Sequence, residues 1–269
     1  MPIDPTSMPD IPPPPGTRIL PDIPFGTHER QKLDLYLPDA PIRGVVAYIH
    51  GGSWARRDRK IVRAWYMLER GYAVASLGYR LSQHAVFPAQ VRDVNAGLAL
   101  LTRIAPQHGI DMNGLALLGL SAGGHLAALA ALATSEPAFG PPPPCRIRAV
   151  VDYYGPSNLI TLCAGRDSLL SAPVTQLLGQ TVFSAPQAAW RASPVAYCNG
   201  DSPPFLLIHG EADTVVPITE SYNLQAQLEA AGGVARMIHV PDGGHATPNM
   251  HTPEINAQIA DFIDAHLAG

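Results

Sequence analysis

The chain has 269 residues, 46% of them hydrophobic and 15% charged, with a formal net charge of −4. That length and apolar share suffice for a large core and exclude an intrinsically disordered chain. The acidic balance argues against a nucleic-acid partner, and three cysteines with no CxxC pair imply neither a disulfide framework nor a zinc site.

Residues 1–17 are Pro-rich, with Pro12-Pro13-Pro14-Pro15-Gly16, and read as an arm on a single domain of residues 18–269. The start of the chain lacks a basic stretch followed by an apolar one, and no segment is long and apolar enough to span a bilayer. A soluble, cytoplasmic protein is therefore expected. Arg18 to Thr27 and Gln31 to Leu37 predict a leading hairpin. The apolar run Val45 to Ile49 predicts a buried strand, which ends in His50-Gly51-Gly52-Ser53-Trp54. Ile61 to Arg70 predicts a helix stopped by Gly71. Tyr72 to Leu77 predicts a strand, and Pro88 to Ile104 a helix with its apolar residues at helical spacing.

Gly114 to Leu118 predicts a buried strand and Gly124 to Ala133 a helix rich in Ala and Leu. Between them stands Gly119-x-Ser121-x-Gly123. A serine on a sharp strand-to-helix turn needs strained backbone and small neighbours, and the following helix N-terminus favours a developing anion. Ile147 to Tyr154 predicts the sixth strand. Residues 155–202 mix prolines with short helical pieces and read as a cap-like insertion over one end of the sheet. Pro204 to Gly210 and Ala235 to Val240 predict strands; Ile218 to Ala231 and Pro253 to Leu267 predict helices. The alternation argues an α/β fold, a central, mostly parallel twisted sheet with helices on both faces.

A nucleophilic serine needs a base, and the base needs an orienting acid. Asp213 follows the strand ending in His209-Gly210 and fits the acid, with Glu211 and Asp201 as rivals. His245 leaves the last strand through Gly243-Gly244 and fits the base better than His209, His239, His251 or His266. Backbone N–H groups of Gly51, Gly52, Ser53 and Ala122 are candidate oxyanion donors. Trp54 and residues of the 155–202 segment are the expected pocket lining. No HExxH occurs and no metal or other cofactor is implied.

With these residues in view the chain resembles the α/β-hydrolase esterases, most of all the BD-FAE and hormone-sensitive-lipase-like carboxylesterases. The resemblance is carried by His50-Gly51-Gly52-Ser53-Trp54, Phe87-Pro88-Ala89-Gln90-Val91-Arg92-Asp93 and Gly119 to Ala127. Asp152-Tyr153-Tyr154-Gly155-Pro156, His209 to Pro217 and Gly243-Gly244-His245 complete it. It implies a serine hydrolase that cleaves small-molecule carboxylic esters of small to medium acyl groups through an acyl-enzyme on Ser121. The loop reads Gly-Gly-Ser-Trp where hormone-sensitive-lipase-like enzymes carry three glycines. That form is also similar to kynurenine formamidases, which makes an arylformamidase the alternative. A non-catalytic binding scaffold of the same fold is a third reading, disfavoured because every candidate triad member is present. Oligomeric state is not legible in the sequence.

Overall fold

The computed structural model describes residues 11–112, 114–164 and 169–267, so the first ten residues of the Pro-rich arm lie outside the described part. Among the described residues, eight strands form one sheet in the order β1-β2-β4-β3-β5-β6-β7-β8. They are β1 (Arg18–Pro24), β2 (Lys32–Leu37), β3 (Val45–Ile49), β4 (Ala73–Leu77), β5 (Leu115–Leu120), β6 (Ile147–Tyr153), β7 (Phe205–Gly210) and β8 (Ala235–Val240). β1 with β2 and β2 with β4 are antiparallel; every pairing from β4 to β8 is parallel. The central strands are apolar runs because helices cover both faces and leave no solvated side.

Side-chain alternation sorts the core into two layers. Val45, Ala47 and Ile49 of β3, Leu115 and Leu117 of β5, and Phe205 and Leu207 of β7 face one layer. It contains α2 (Ala89–Ile104), α3 (Ala122–Leu132) and α7 (Thr219–Ala230). Val46, Tyr48, Ala116, Leu118, Leu206 and Ile208 face the other, made by α1 (Trp65–Glu69) and α8 (Pro253–Leu267).

Most predicted elements appear within two residues of their expected ends, and one helix is shorter. Ile61 to Arg70 reads as helical, yet only Trp65–Glu69 is. The reason lies upstream. Arg59 is buried against Asp34 at 2.9 Å and Asp22, and its carbonyl accepts from Ser76 Oγ at 2.6 Å. These contacts bind the chain across β4 and delay the helix until Ala64 has entered the core.

Residues 155–202 carry α4 (Leu159–Ala164), α5 (Ser171–Leu178) and α6 (Pro186–Arg191). Leu159, Leu162, Val174, Leu177, Ala189 and Ala192 join the same apolar layer as α2 and α3. The His125 ring of α3 meets the Ala192 carbonyl at 2.7 Å, and Glu220 of α7 accepts the Ser157 and Asn158 N–H groups. The segment is thereby fastened to the helical layer.

Candidate active site

Ser121 stands between β5 and α3 with φ 55° and ψ −119°, a backbone conformation that L residues adopt only under constraint. The constraint is visible. The Ser121 N–H donates to Tyr153 O at 2.8 Å, and its carbonyl accepts the His125 N–H at 3.0 Å. Two residues on, Gly123 lies so close to β3 that a Cβ there would sit 2.0 Å from Ile49 O. Only glycine lets the helix start there.

His245 reaches Ser121 from the far side. Past β8, Asp242 and Ala246 take positive φ and fold the loop back over the sheet. The Gly243 carbonyl accepts the Ala212 N–H at 2.9 Å and joins this loop to the one after β7. His245 Nε2 lies 3.0 Å from Ser121 Oγ, and His245 Nδ1 lies 2.7 Å from Asp213 Oδ2. Nδ1 can only donate to a carboxylate, so Nε2 is left to accept from the serine. Asp213 Oδ1 accepts the N–H groups of Val215 and Val216 at 2.8 and 2.9 Å. Burial works to raise the Asp213 carboxyl; the approach of His209, the His245 bond and the Val216 N–H outweigh it and hold the group well below the usual carboxylate range.

The rivals stand elsewhere. Asp201 is exposed ahead of β7, at the opposite end of that strand. Glu211 is exposed, and its carboxylate lies 3.7 Å from His239. His209, one of the less favoured candidate bases, lies behind Asp213. It is fully buried at the end of β7, with Nε2 2.8 Å from Val216 O and 3.4 Å from Asp213 Oδ2, and Nδ1 2.7 Å from Ser221 Oγ. The Val216 carbonyl can only accept, so Nε2 carries the proton and donates to it with Asp213 Oδ2 close by, and Nδ1 accepts from the Ser221 hydroxyl.

The loop after β3 closes the other side. Gly51 presses against the serine turn: a Cβ there would meet Leu120 O at 2.6 Å and Ser121 Cβ at 3.4 Å. Gly52, Ser53 and Trp54 follow with φ 115°, 53° and 57°. The loop is held open from behind, since Tyr79 Oη donates to His50 O at 2.9 Å and Arg30 Nη2 to Arg57 O at 2.6 Å. Burial lowers the His50 imidazole to about 3, so it stays neutral under the loop. Ala122 opens α3, where no preceding turn can bond its N–H.

Ser121 and His245 open onto a cleft of about 330 Å³. Gly51, Gly52 and Ser53 form one side; Leu120, Tyr154, Val215 and Ala246 supply the neutral remainder. Two expectations about its walls are corrected. Trp54 is 1% exposed and lies beneath the loop, its indole N–H donating to His125 Nδ1 at 3.2 Å. The left-handed backbone at Ser53 and Trp54 turns the indole inward, where a buried histidine accepts its proton. No described residue of 155–202 lines the cleft either, because that segment is fastened to α3 and α7. In their place stand Arg56 and Arg57. Both belong to the run Arg56-Arg57-Asp58-Arg59-Lys60, and that basic run directly after a glycine loop was the signal available in the sequence.

Among the described residues, no three His, Cys, Asp or Glu side chains gather as metal ligands. No described helix is long and apolar enough to cross a membrane.

A parallel sheet with an antiparallel edge, helices on both faces and a strained serine between strand and helix define an α/β-hydrolase fold. The chain belongs to the BD-FAE family, whose model matches residues 33–228. It is 30% identical over 257 residues to the esterase LipQ of Mycobacterium tuberculosis, covering 90% of this chain and 61% of that protein. It is 29% identical over 232 residues to the isoprenylcysteine alpha-carbonyl methylesterase ICME of Arabidopsis thaliana, covering 80% of this chain and 53% of that one. The chain thus spans a little over half the length of these curated relatives. Among solved structures, a truncated carbohydrate esterase from gut microbiota superposes with a TM-score of 0.85 at 26% identity, over 94% of this chain and 97% of that one. Esterase B from Lactobacillus rhamnosis gives 0.82 at 25% identity, over 96% and 89% of the two chains.

Proposed function

We propose that the protein is a carboxylic ester hydrolase working through Ser121, His245 and Asp213. The observation that carries this reading is the unbroken chain of contacts from Ser121 Oγ through both ring nitrogens of His245 to Asp213, open to a cleft at its serine end. Ser121 Oγ attacks the ester carbonyl as its proton passes to His245 Nε2. Asp213 holds the ring in the required tautomer and stabilises the imidazolium. The N–H groups of Gly51, Gly52, Ser53 and Ala122 meet the charge on the carbonyl oxygen. The C–O bond breaks, the alcohol leaves with the His245 proton, and water repeats the sequence on the acyl-enzyme.

The named relatives and solved structures are esterases, which favours the ester over the N-formyl substrate. The test is labelling by a fluorophosphonate probe together with release of p-nitrophenol from the butyrate ester. Wild type labels and turns over; Ser121→Ala does neither. A folded wild-type protein that resists the probe and leaves the ester intact overturns the reading.

A further inference from the structure

The cleft is cationic in a protein whose net charge is −4. Arg56 and Arg57 stand on its wall, and no acidic side chain stands among the described residues that line it. Arg56 is exposed and has no acidic partner among the described residues. The neighbouring acid, Asp58, directs its carboxylate to the Lys60 N–H at 2.7 Å. Asp213, the nearest carboxylate of the site, is fully buried behind His245.

The backbone carrying these arginines is built with effort. The Arg56 N–H donates to Gly52 O at 2.9 Å, which ties the start of the basic run to the glycine loop. Arg57 takes φ 65°, unusual for a long side chain, and its carbonyl is pinned by Arg30. Strain of this kind costs on the order of 1–3 kcal/mol and persists where surrounding contacts enforce it, chiefly at working sites. The same basic run is divided by role: Arg59 turns inward to Asp34 while Arg56 and Arg57 line the cleft.

Guanidinium groups match carboxylates in shape and charge and keep their charge at any working pH. We infer that the cleft selects esters whose uncleaved end bears a carboxylate, which Arg56 binds while Ser121 attacks the ester at the other end. The inference rests on the ester-hydrolase reading above.

The test compares rates by pH-stat. Monomethyl adipate is set against methyl 6-methylheptanoate, in which two methyl groups replace the carboxylate oxygens, and against methyl 6-aminohexanoate, of opposite charge. A second pair, 4-acetoxybutanoate and 4-methylpentyl acetate, moves the charge to the alcohol side. In at least one pair kcat/KM favours the carboxylate by about tenfold, the scale of one charge-assisted contact near the surface. The amine is the poorest substrate. Salt at about 0.5 M narrows the preference, as screening requires. Arg56→Gln, an exposed substitution that leaves the fold in place, brings the ratio toward one.

Turnover of neutral esters with no carboxylate preference in either pair overturns the inference and leaves the hydrolase reading standing. So does a preference that survives Arg56→Gln and high salt. Probe labelling of Ser121 without turnover of any of these esters overturns the inference alone. Loss of both labelling and turnover in folded protein overturns both readings.

Discussion

At Ser121 the side chain is ordinary and the backbone is not. Removing the hydroxyl leaves φ and ψ to be held by the same Tyr153 and His125 bonds. Ser121→Ala is therefore expected to keep its far-UV dichroism and Tm while kcat falls by about 10⁴-fold or more. Asp213→Asn keeps the Oδ1 acceptor for Val215 and Val216 but loses the charge that orients His245. Its kcat is expected to fall by about 10³–10⁴-fold with KM little changed. Asp201→Asn and Glu211→Gln, both on exposed side chains outside the cleft, cost less than about threefold in the same assay. His209→Phe removes the ring that backs Asp213, and kcat is expected to drop by about tenfold or more. His209→Asn retains a donor and recovers part of that loss, which a purely packing role would not predict.

These residues differ in how openly the sequence carries them. Ser121 sits between two glycines in a five-residue frame, and Asp213 and His245 follow strands whose apolar runs are plain. Their spacing in the chain is enough because strand ends converge on one edge of a parallel sheet. Trp54 misled because its direction depends on backbone sign. A residue after two glycines reads as a pocket wall, yet left-handed angles at Ser53 and Trp54 send the indole downward. The role of His209 depends on Ser221, twelve residues away, and no local pattern announces that pair.

Among elements, the serine turn is the least tolerant. Gly123→Ala would drive a methyl to 2.0 Å from Ile49 O and 2.7 Å from His50 O, and these are backbone atoms that cannot swing aside. Loss of soluble protein, or loss of both activity and the Ser121 conformation, is expected from expression yield and probe labelling. The longer elements were legible because burial on two faces makes strands uniformly apolar, while α2 keeps a wet side and shows its period. The short α1 was overestimated because Ile61-Val62-Arg63-Ala64 ahead of it continue an apolar pattern that a helix would accept. The distant contacts of Arg59 with Asp34, Asp22 and Ser76 hold the chain just ahead of them. Residues 155–202 read as a cover because prolines and short helices are common in covers. Their placement is decided by long-range contacts to α3 and α7 that composition does not encode.

For the whole molecule, several imidazoles are buried uncharged. Burial lowers His50 to about 3 and His125 and His251 to about 4. Their folded values lie below the unfolded value of about 6.5, so the unfolded chain takes up more protons as pH falls. Stability from these groups is complete above about pH 6.5 and is lost as pH falls toward 4. Asp152 acts oppositely: burial raises it to about 7, so it favours the fold as pH falls from 7 toward its unfolded value near 4. Three histidines outweigh one carboxyl, and Tm is expected to drop by roughly 5 °C or more between pH 7 and pH 5. Calorimetry over that range checks the sign. A Tm that rises on acidification would mean Asp152 dominates.

The bond from Trp54 to His125 also gives the protein a built-in optical gauge. The chain has three tryptophans: Trp54 sealed at 1% exposure, Trp65 half-buried, and Trp190 open at 46%. Their emission should separate by depth, with iodide extinguishing Trp190 first and Trp54 last. Because the Trp54 indole touches the histidine that in turn meets Ala192, its blue-shifted band reports on the glycine loop and the helical layer together. If the loop behind Ser121 loosens before the rest of the fold, that band shifts red while the far-UV signal is still intact. One emission spectrum would then register damage around the Ser121 cleft ahead of global unfolding.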